Sequence, residues 1–585
     1  MMNLRALTDT TRGVVAIYSA LAIVLTWPLT AHLTTQIPAG SNDIWQNLWN
    51  FWWWRHAITE LGSNPYSTDF LFHPVGTTLA LHTHSTFNQI VAFPVNVLLG
   101  PAAALNFATL LGFVLSGVAA HLLAYEVCGD RRAAYIAGLI FAFFPHHFEQ
   151  SLEHLNLSTL QFLPWVALYG LRVVRDGSRR DTLLFGVVFA LNALSCWHYG
   201  LFTLFILPWL WLAEWSFDSQ PIERIKQAAP KIALAAVIVI VVMAPFAASM
   251  TSELAGMDHY AKAPVDRGTD IAFLLMPSDH HPLWGPLTRN YYQQHRAYPA
   301  LGSQAFLGFG ALILAGLAVV RSKRDPNIVG WCLVFACALL LSFGANPTLG
   351  GATIGIPGPH AVFEHLPLLK SLRVANRFIV IAMLALSVLA ALGFSKTLAT
   401  RGPVRAVLAA LVLIECLWLP YPLQPVEFSP LLDEFATGSD GAVLDIPFSQ
   451  DSTSALNLAY QTRHGRPIAG GYISVGPYGD AAIANQPALF ALSGMAPALP
   501  ARIDVEALRA LGFRHFVLHK DRTRQAVVSA LQSLPQNASF YVRRRFERMP
   551  FMPDKTFQQI SQMLEAQVGP ALAEDERVRI FELAP

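Results

Sequence analysis

Eleven apolar runs punctuate this chain, at roughly 13–33, 102–125, 132–146, 155–171, 182–197, 199–215, 231–250, 304–321, 327–344, 375–396 and 403–421. A helix needs about 17–25 mainly apolar residues to cross a bilayer. The chain is therefore expected to be a polytopic α-helical membrane protein of about eleven spans. The connecting loops sharpen this. Arg5 and Arg12 precede the first run, and Arg131 and Arg132 follow the second. Arg172, Arg175, Arg179 and Arg180 follow the fourth, and Arg224, Lys226 and Lys231 the sixth. Arg321, Lys323 and Arg324 follow the eighth, and Lys396, Arg401 and Arg405 the tenth. Every second short loop is basic, which places those loops and the N-terminus in the cytoplasm. An odd number of spans then leaves the C-terminus outside the inner (plasma) membrane of a bacterium. The first run has no small-x-small cleavage site behind it and is expected to remain as a span.

Only 13% of residues are charged, against about 25% in soluble domains. The net charge of +2 gives no reason to expect nucleic acid. The five cysteines, Cys128, Cys196, Cys332, Cys337 and Cys416, lie in or beside apolar runs and spell no disulfide or zinc pattern. The expected domains are a transmembrane part, 1–421, and a soluble extracytoplasmic α/β part, 422–585. Long outer loops span 34–101, 251–303 and 345–374, and a short one spans 146–154. Polar chemistry is thus concentrated on one face. Pumps and channels place ionisable groups mid-membrane, whereas the runs around 182–195, 232–250, 304–320 and 327–344 carry none, and His121 and Glu415 sit near span ends. Transport is the weaker reading.

The stretch GSNDIWQNLWNFWWWRH (40–56) opens the first outer loop. Trp45, Trp49, Trp52 and His56 recur at helical spacing, which predicts an amphipathic helix over 43–60 lying in the membrane interface, where tryptophan is enriched. Asp43 stands at its start. It reads either as a helix cap, worth about 1 kcal/mol, or as a carboxylate at the lipid–water boundary acting as general base. The loop PHHFEQSLEH crowds His146, His147, Glu149, Glu153 and His154 together. His146, Glu149, Gln150 and Glu153 share one helical face, and His147 and His154 another. Such a cluster can hold a divalent ion, Mg or Mn, with Glu149 and His146 as ligands, can hydrogen-bond sugar hydroxyls, or can simply be solvated. In LKSLRVANRF, Lys370, Arg373 and Arg377 fall on one helical face at the outer start of span ten. Arginine binds phosphate through two parallel hydrogen bonds, so the three are candidates for a leaving phosphate; snorkelling to headgroups is the plain alternative. His73, His82 and His84 are loop polar residues, with His84 kept as a substrate-binding candidate. Arg267, His280, His281, Arg289 and Arg296 lie in loop 251–303, which is expected to cover the cavity, with His281 carried forward as a binding residue.

The C-terminal part reads as strands at 441–448, 514–520 and 577–583 and helices at 504–511 and 522–533. Its one odd patch, YQTRHGRPIAGGY (460–472), offers Tyr460 and Gln461 to an acceptor or is turn chemistry at Gly465, Gly470 and Gly471. No G-x-G-x-x-G, P-loop or G-x-S-x-G motif occurs, so a nucleotide-sugar Rossmann unit is not supported.

Several elements in order resemble the GT-C glycosyltransferases, multi-span membrane enzymes that take sugar from a polyprenyl-phosphate carrier, and most nearly their large bacterial members. They are the Asp43-x(5)-Trp49 start, LFHPVGTTLALHTH (71–84), HHFEQSLEHLNLSTLQFLPW (146–165), PGPHAVFEHLPLLKSLRVANRF (357–378) and 460–472. The resemblance spans most of the chain. It implies a GT-C-like fold with interfacial helices in the first outer loop and an inverting transfer with Asp43 as catalytic base. It also implies a polyprenyl-phosphate carrier as the source of the sugar and contact with membrane lipids; it names no sugar and no acceptor, and an envelope glycan, lipid or protein is the acceptor expected on the outer face. Many such enzymes carry a second acid beside the first. Here the neighbours are Ser41 and Asn42, which leaves that role to Glu149 or Glu153 and puts a metal requirement in question. A scaffold of the same fold without turnover, or a lipid or polysaccharide transporter, are the alternatives.

Overall fold

The computed structural model describes residues 10–40, 42–255, 268–295, 304–322, 324–366, 369–397, 402–438, 440–448, 453–474, 485–493, 498–534 and 551–583, with the isolated positions 543, 547 and 549. Each apolar run coincides with helix. Thr11–Leu25, Pro101–Cys128, Arg131–Ala142, Phe162–Arg175, Arg179–Ser195, Leu207–Ser216, Pro221–Ala255, Phe309–Arg321, Pro326–Ser342, Ile379–Thr397 and Gly402–Glu415 follow one another in order. By length and composition, Pro101–Cys128, Pro221–Met250 and Ala375–Ser395 are long and apolar enough to cross a membrane. Thr11–Leu25, Thr86–Leu99, Phe309–Arg321 and Pro326–Ser342 are shorter apolar helices. The bundle is organised around Ile379–Thr397, whose side chains from Ile379 to Phe394 are buried. Pro221–Ala255 lies at the periphery, with Val237, Ile240 and Val241 exposed. Facing outward, such residues are stable only against lipid or another apolar surface.

The basic loops gather at one end of the bundle and pair with acids there. Arg172 meets Glu126 at 2.5 Å, Arg175 meets Glu214 at 2.6 Å, Arg224 meets Asp176 at 2.7 Å, and Arg405 meets Asp130 at 3.1 Å. Exposed pairs contribute about 0–1 kcal/mol each; their use here is to show that the alternating charge pattern of the sequence corresponds to one physical end. Asp43, the 145–154 loop and Arg377 lie at the opposite end, together with the C-terminal segment.

That segment is tied down where the bundle ends. Gln36–Pro38 pairs antiparallel with Leu423–Pro425, and Gln424 donates to the carbonyls of Pro38 and Gly40. A four-stranded mixed sheet follows, in the spatial order Ala442–Ile446, Phe513–His519, Val578–Glu582, Ala573–Glu574. The first two strands are parallel and the others antiparallel. Helices Val505–Ala510, Arg524–Ser533 and Asp554–Val568 accompany it. The three strands and two helices expected from the sequence are present. The helix Asp554–Val568 has no counterpart among those expectations, and the patch 460–472 begins as the last turns of helix Thr453–His464.

Two expectations are corrected. The tryptophan helix does form, as Asp43–Arg55 followed by a wider turn over His56–Glu60, but it is not amphipathic with one face outward: protein encloses it. Every residue from Ile44 to Trp54 is buried. Ile44, Trp45, Leu48 and Phe51 share a core with Leu432, Val443, Tyr460, Val517 and Ile580 of the C-terminal sheet and its helices. The helix of this loop that does expose an apolar face is Thr86–Leu99, with Ile90, Val97, Leu98 and Leu99 outward and Asn88, Gln89 and Asn96 inward. Secondly, Lys370, Arg373 and Arg377 do not share a helical face. The chain forms two short 3-10 turns, Leu369–Leu372 and Ala375–Phe378, broken at Arg373 and Val374.

Close approach fixes the tryptophan helix against the loop helix Pro145–Glu153. A Cβ built on Gly40 would sit 2.1 Å from the Leu152 carbonyl oxygen and 2.8 Å from Glu153 Cγ. Gly40→Ala is therefore expected to destabilise the protein by about 1–3 kcal/mol, as overpacking does, and to depress the melting temperature of the detergent-solubilised protein. An unchanged melt would mean that the two segments part easily.

Candidate active site

Asp43 occupies the first turn of the tryptophan helix, where the helix dipole favours a carboxylate. It does not tie off its own helix: Asn42 is the capping residue and makes no side-chain cap bond. The Asp43 carboxylate turns instead to two other segments. Tyr472 donates its phenol to Oδ1 at 2.7 Å, and His154 Nε2 lies 2.9 Å from Oδ2. The side chain keeps about a quarter of its surface open, 27%. Burial pushes its pKa upward; His154, the Tyr472 phenol and the charge of Arg377 outweigh that and hold the carboxyl below the usual carboxylate range. Asp43 is thus a carboxylate at neutral pH.

The buried polar residues of the tryptophan helix explain themselves by what they hold. Asn47 Nδ2 donates to the Glu153 carbonyl at 2.8 Å, fixing the loop that carries His154. Gln46 Nε2 donates to the Tyr472 carbonyl at 2.8 Å. Asn50 Oδ1 accepts from His82 Nε2 at 2.8 Å, while His82 Nδ1 accepts from the Ser474 N–H at 3.2 Å. That pair of bonds requires the neutral ring, and burial depresses the His82 pKa to about 3, against the pull of the Asp43 charge. His84 accepts from Trp54 Nε1 at 3.1 Å and is pushed well down by burial and by His82.

The loop helix Pro145–Glu153 forms as its spacing predicts, and His154 caps its end. His146 is 1% exposed. Neither of its ring nitrogens has a hydrogen-bond partner among the described residues, and Nδ1 stands 3.9 Å from Glu149 Oε2. Burial first, then His147, the Arg377 charge and His154, lowers its pKa to about 3. Glu149 and Glu153 are buried beside it. His147 plays a separate, structural part. Its Nδ1 lies 2.7 Å from the Ala142 carbonyl and its Nε2 2.9 Å from the Ser158 carbonyl; burial lowers its pKa to about 4, so the neutral ring donates to one of the two at a time and holds the loop from either end. His147→Phe is expected to cost about 1–3 kcal/mol through the carbonyl it orphans, read as a lower melting temperature.

Arg377 is half-buried, with Nη1 3.4 Å from His198 Nε2. Its charge is felt at Asp43, at His146 and at Tyr199. Arg373 is half-buried in the break between the two turns, and the side chain of Lys370 lies outside the described residues, as do Arg267 and Arg296. The remaining candidates are engaged elsewhere. His281 Nε2 meets the Ile414 carbonyl at 2.7 Å and its Nδ1 accepts from Leu283 and Trp284. His280 stacks on Trp418, with centroids 4.8 Å apart. The described part of loop 251–303 therefore braces the C-terminal end of helix Gly402–Glu415. Tyr460 stacks on His519 at 3.8 Å, and Gln461 joins Trp49 Nε1 (2.7 Å) to the carbonyls of Phe70 and Arg466. Both serve the junction between the tryptophan helix and the C-terminal sheet. Tyr472 and His198 were not singled out by the sequence. The signal for Tyr472 was present, as the aromatic residue ending the Gly-rich patch.

This cluster is the expected place of a divalent ion. Among the described residues no three His, Cys, Asp or Glu side chains are grouped to hold one. Asp43 engages both oxygens with Tyr472 and His154, and His146 and Glu149 alone offer a two-membered set.

The fold is similar to that of solved membrane glycosyltransferases. The solved arabinofuranosyltransferase AftD from Mycobacteria aligns with a TM-score of 0.58 at 15% identity, covering 98% of this chain and 40% of that one. The oligosaccharyltransferase of Archaeoglobus fulgidus, in complex with Zn and sulfate, aligns with a TM-score of 0.51 at 13% identity, covering 88% of this chain and 69% of that one. These likenesses are of fold. The chain itself belongs to the family described as a domain of unknown function, DUF6311, which it matches over residues 14–417. No curated protein matches the sequence.

Proposed function

We propose that this protein is an inverting glycosyltransferase. In this reading it moves a sugar from a polyprenyl-phosphate carrier to a hydroxyl acceptor on the outer face of the bacterial plasma membrane. The observation that carries this is the Asp43 carboxylate, held ionised at the end of the bundle opposite the basic loops and already accepting from a hydroxyl donor at 2.7 Å. The acceptor O–H gives its proton to Asp43 as its oxygen attacks the anomeric carbon. The bond from that carbon to the phosphate oxygen breaks, and the electron pair leaves with the polyprenyl phosphate. Arg377 offsets the charge that develops there, the kind of electrostatic stabilisation that is usually the largest catalytic contribution. His146 and Glu149 are the candidates to orient the sugar, and Glu153 and His154 to fix the base. The basic loops lie on the cytoplasmic side in this reading, by the positive-inside bias.

The test is direct. The purified protein is reconstituted in liposomes with radiolabelled undecaprenyl-phosphate hexoses and pentoses, and the release of undecaprenyl phosphate is followed. Protein-dependent consumption of one donor is expected. A protein that neither consumes any donor nor binds undecaprenyl phosphate is not this enzyme.

A further inference from the structure

Tyr472 comes from a segment far along the chain, yet it is built into the candidate site by four bonds. Its phenol donates to Asp43 Oδ1 at 2.7 Å and its carbonyl accepts from Gln46 at 2.8 Å. Two residues on, the Ser474 N–H donates to His82 Nδ1 at 3.2 Å, and the Ser474 hydroxyl pairs with Thr83 at 2.9 Å. The segment reaches this position because Gly471 lies flat on Phe72, where a Cβ would come within 2.8 Å of the ring. The backbone of Gly470 is bonded to Phe72 as well, at 3.2 Å. Tyr472 is thus a hydroxyl donor set on the general base by the protein's own backbone.

We infer that Tyr472 is a specificity-determining residue: its phenol stands where the acceptor hydroxyl must stand, so that only an acceptor able to displace it reaches Asp43, and water does not. This rests on the glycosyltransferase reading of the site. The chemistry follows from the hydrogen-bond inventory. An ionised carboxylate only accepts, and a phenol or an alcohol fills the same place on Oδ1. A bulky acceptor that brings several contacts replaces one hydrogen bond at little net cost, since such bonds are worth about 0.5–1.5 kcal/mol net. A lone water has no such return. Without the phenol, Oδ1 is open to water, and water then attacks the anomeric carbon. Its proton goes to Asp43, the bond from carbon to phosphate breaks, and free sugar and polyprenyl phosphate result. Among the described residues, the charged or titratable groups that act on Asp43 are His154, Tyr472, Arg377 and His82, and of these only Tyr472 carries a hydroxyl.

The experiment compares wild type, Tyr472→Phe and Asp43→Asn in liposomes loaded with the labelled donor that wild type consumes, with no acceptor added. Tyr472→Phe is expected to raise donor hydrolysis to free sugar about tenfold, and Asp43→Asn and the double variant to abolish it. The acid limb of the Tyr472→Phe rate should also move to higher pH, because the base has lost a donor; a merely structural residue would leave that limb in place. Hydrolysis in Tyr472→Phe equal to or below wild type, in a protein that melts normally, overturns the inference and leaves the glycosyltransferase reading standing. Sugar found covalently on Tyr472 of the wild type also overturns it, since the phenol would then be a nucleophile rather than a stand-in. If no donor is consumed by any variant, a double-mutant cycle of Asp43→Ala, which removes the acceptor of the phenol, and Tyr472→Phe on thermal stability separates the cases. Coupled effects mean that the contact exists and the glycosyltransferase reading has failed, taking the inference with it. Additive effects mean that the contact itself is wrong.

Discussion

Asp43→Asn is expected to reduce donor turnover by about 10²–10⁴-fold, the usual contribution of a positioned general base, while the protein expresses, melts and binds undecaprenyl phosphate much as wild type does. The reason for a large effect with little structural cost lies in the geometry. An asparagine amide oxygen still accepts from the Tyr472 phenol at the Oδ1 position, and the helix keeps Asn47, Asn50 and its buried indoles. What is lost is the capacity to take a proton. Asparagine at this position also discriminates among the alternatives, because a scaffold of the same fold would be indifferent to it. Turnover within a factor of a few of wild type would remove Asp43 from the chemistry.

The second large effect is expected at Arg377. Arg377→Gln should lower kcat by about 10²–10³-fold, the scale seen when one preorganised donor to a developing negative charge is removed; Arg377→Lys should restore part of this, as a point charge without the planar fork. The pH dependence separates the two roles of this residue. Its charge helps hold Asp43 below the usual carboxylate range, near 4 for an unperturbed aspartate. The stabilisation that Asp43 gains from its neighbours is therefore present above that ordinary value and lost as pH falls through the lower folded one. Removing Arg377 raises the folded pKa, so the acid limb of kcat/KM should move upward. At pH 7 the base remains ionised, so the deficit there reports the leaving group. A variant whose acid limb moves while its rate at pH 7 does not would assign Arg377 to the base alone.

Much of the fold was legible because membrane helices and buried strands announce themselves locally. Apolar runs became helices in order, and the strands Ala442–Ile446, Phe513–His519 and Val578–Glu582 stand at their expected places. What local pattern could not reveal was what covers an apolar surface. Ile44, Trp45, Leu48, Trp49, Phe51, Trp52, Trp53 and Trp54 surround their helix on every side, and a helix apolar all round is a buried one; the tryptophan content suggested an interface instead. The Lys370–Arg377 face failed because spacing assumes continuous helix, and Val374 leaves it, with φ −98° and ψ 83°. In the candidate site, Asp43 and the loop 146–154 could be read from their position after spans one and three. Tyr472 could not be paired with Asp43, since the two are 429 residues apart and no periodicity connects them. His147 and His154, seven apart, looked alike in the sequence, and their surroundings separate them: His147 lies between two backbone carbonyls, whereas His154 meets Asp43.

The union of the tryptophan helix with the C-terminal sheet also sets an order of events during synthesis. Trp49 leaves the ribosome 412 residues before Gln461, the residue that will accept its indole N–H. Through that interval the helix carrying Asp43 has no sheet to pack against, and its indoles must wait against whatever apolar medium is at hand, the lipid headgroup boundary being the nearest that suits them. A chain that ends before Tyr472 therefore holds Asp43 without the phenol that donates to it.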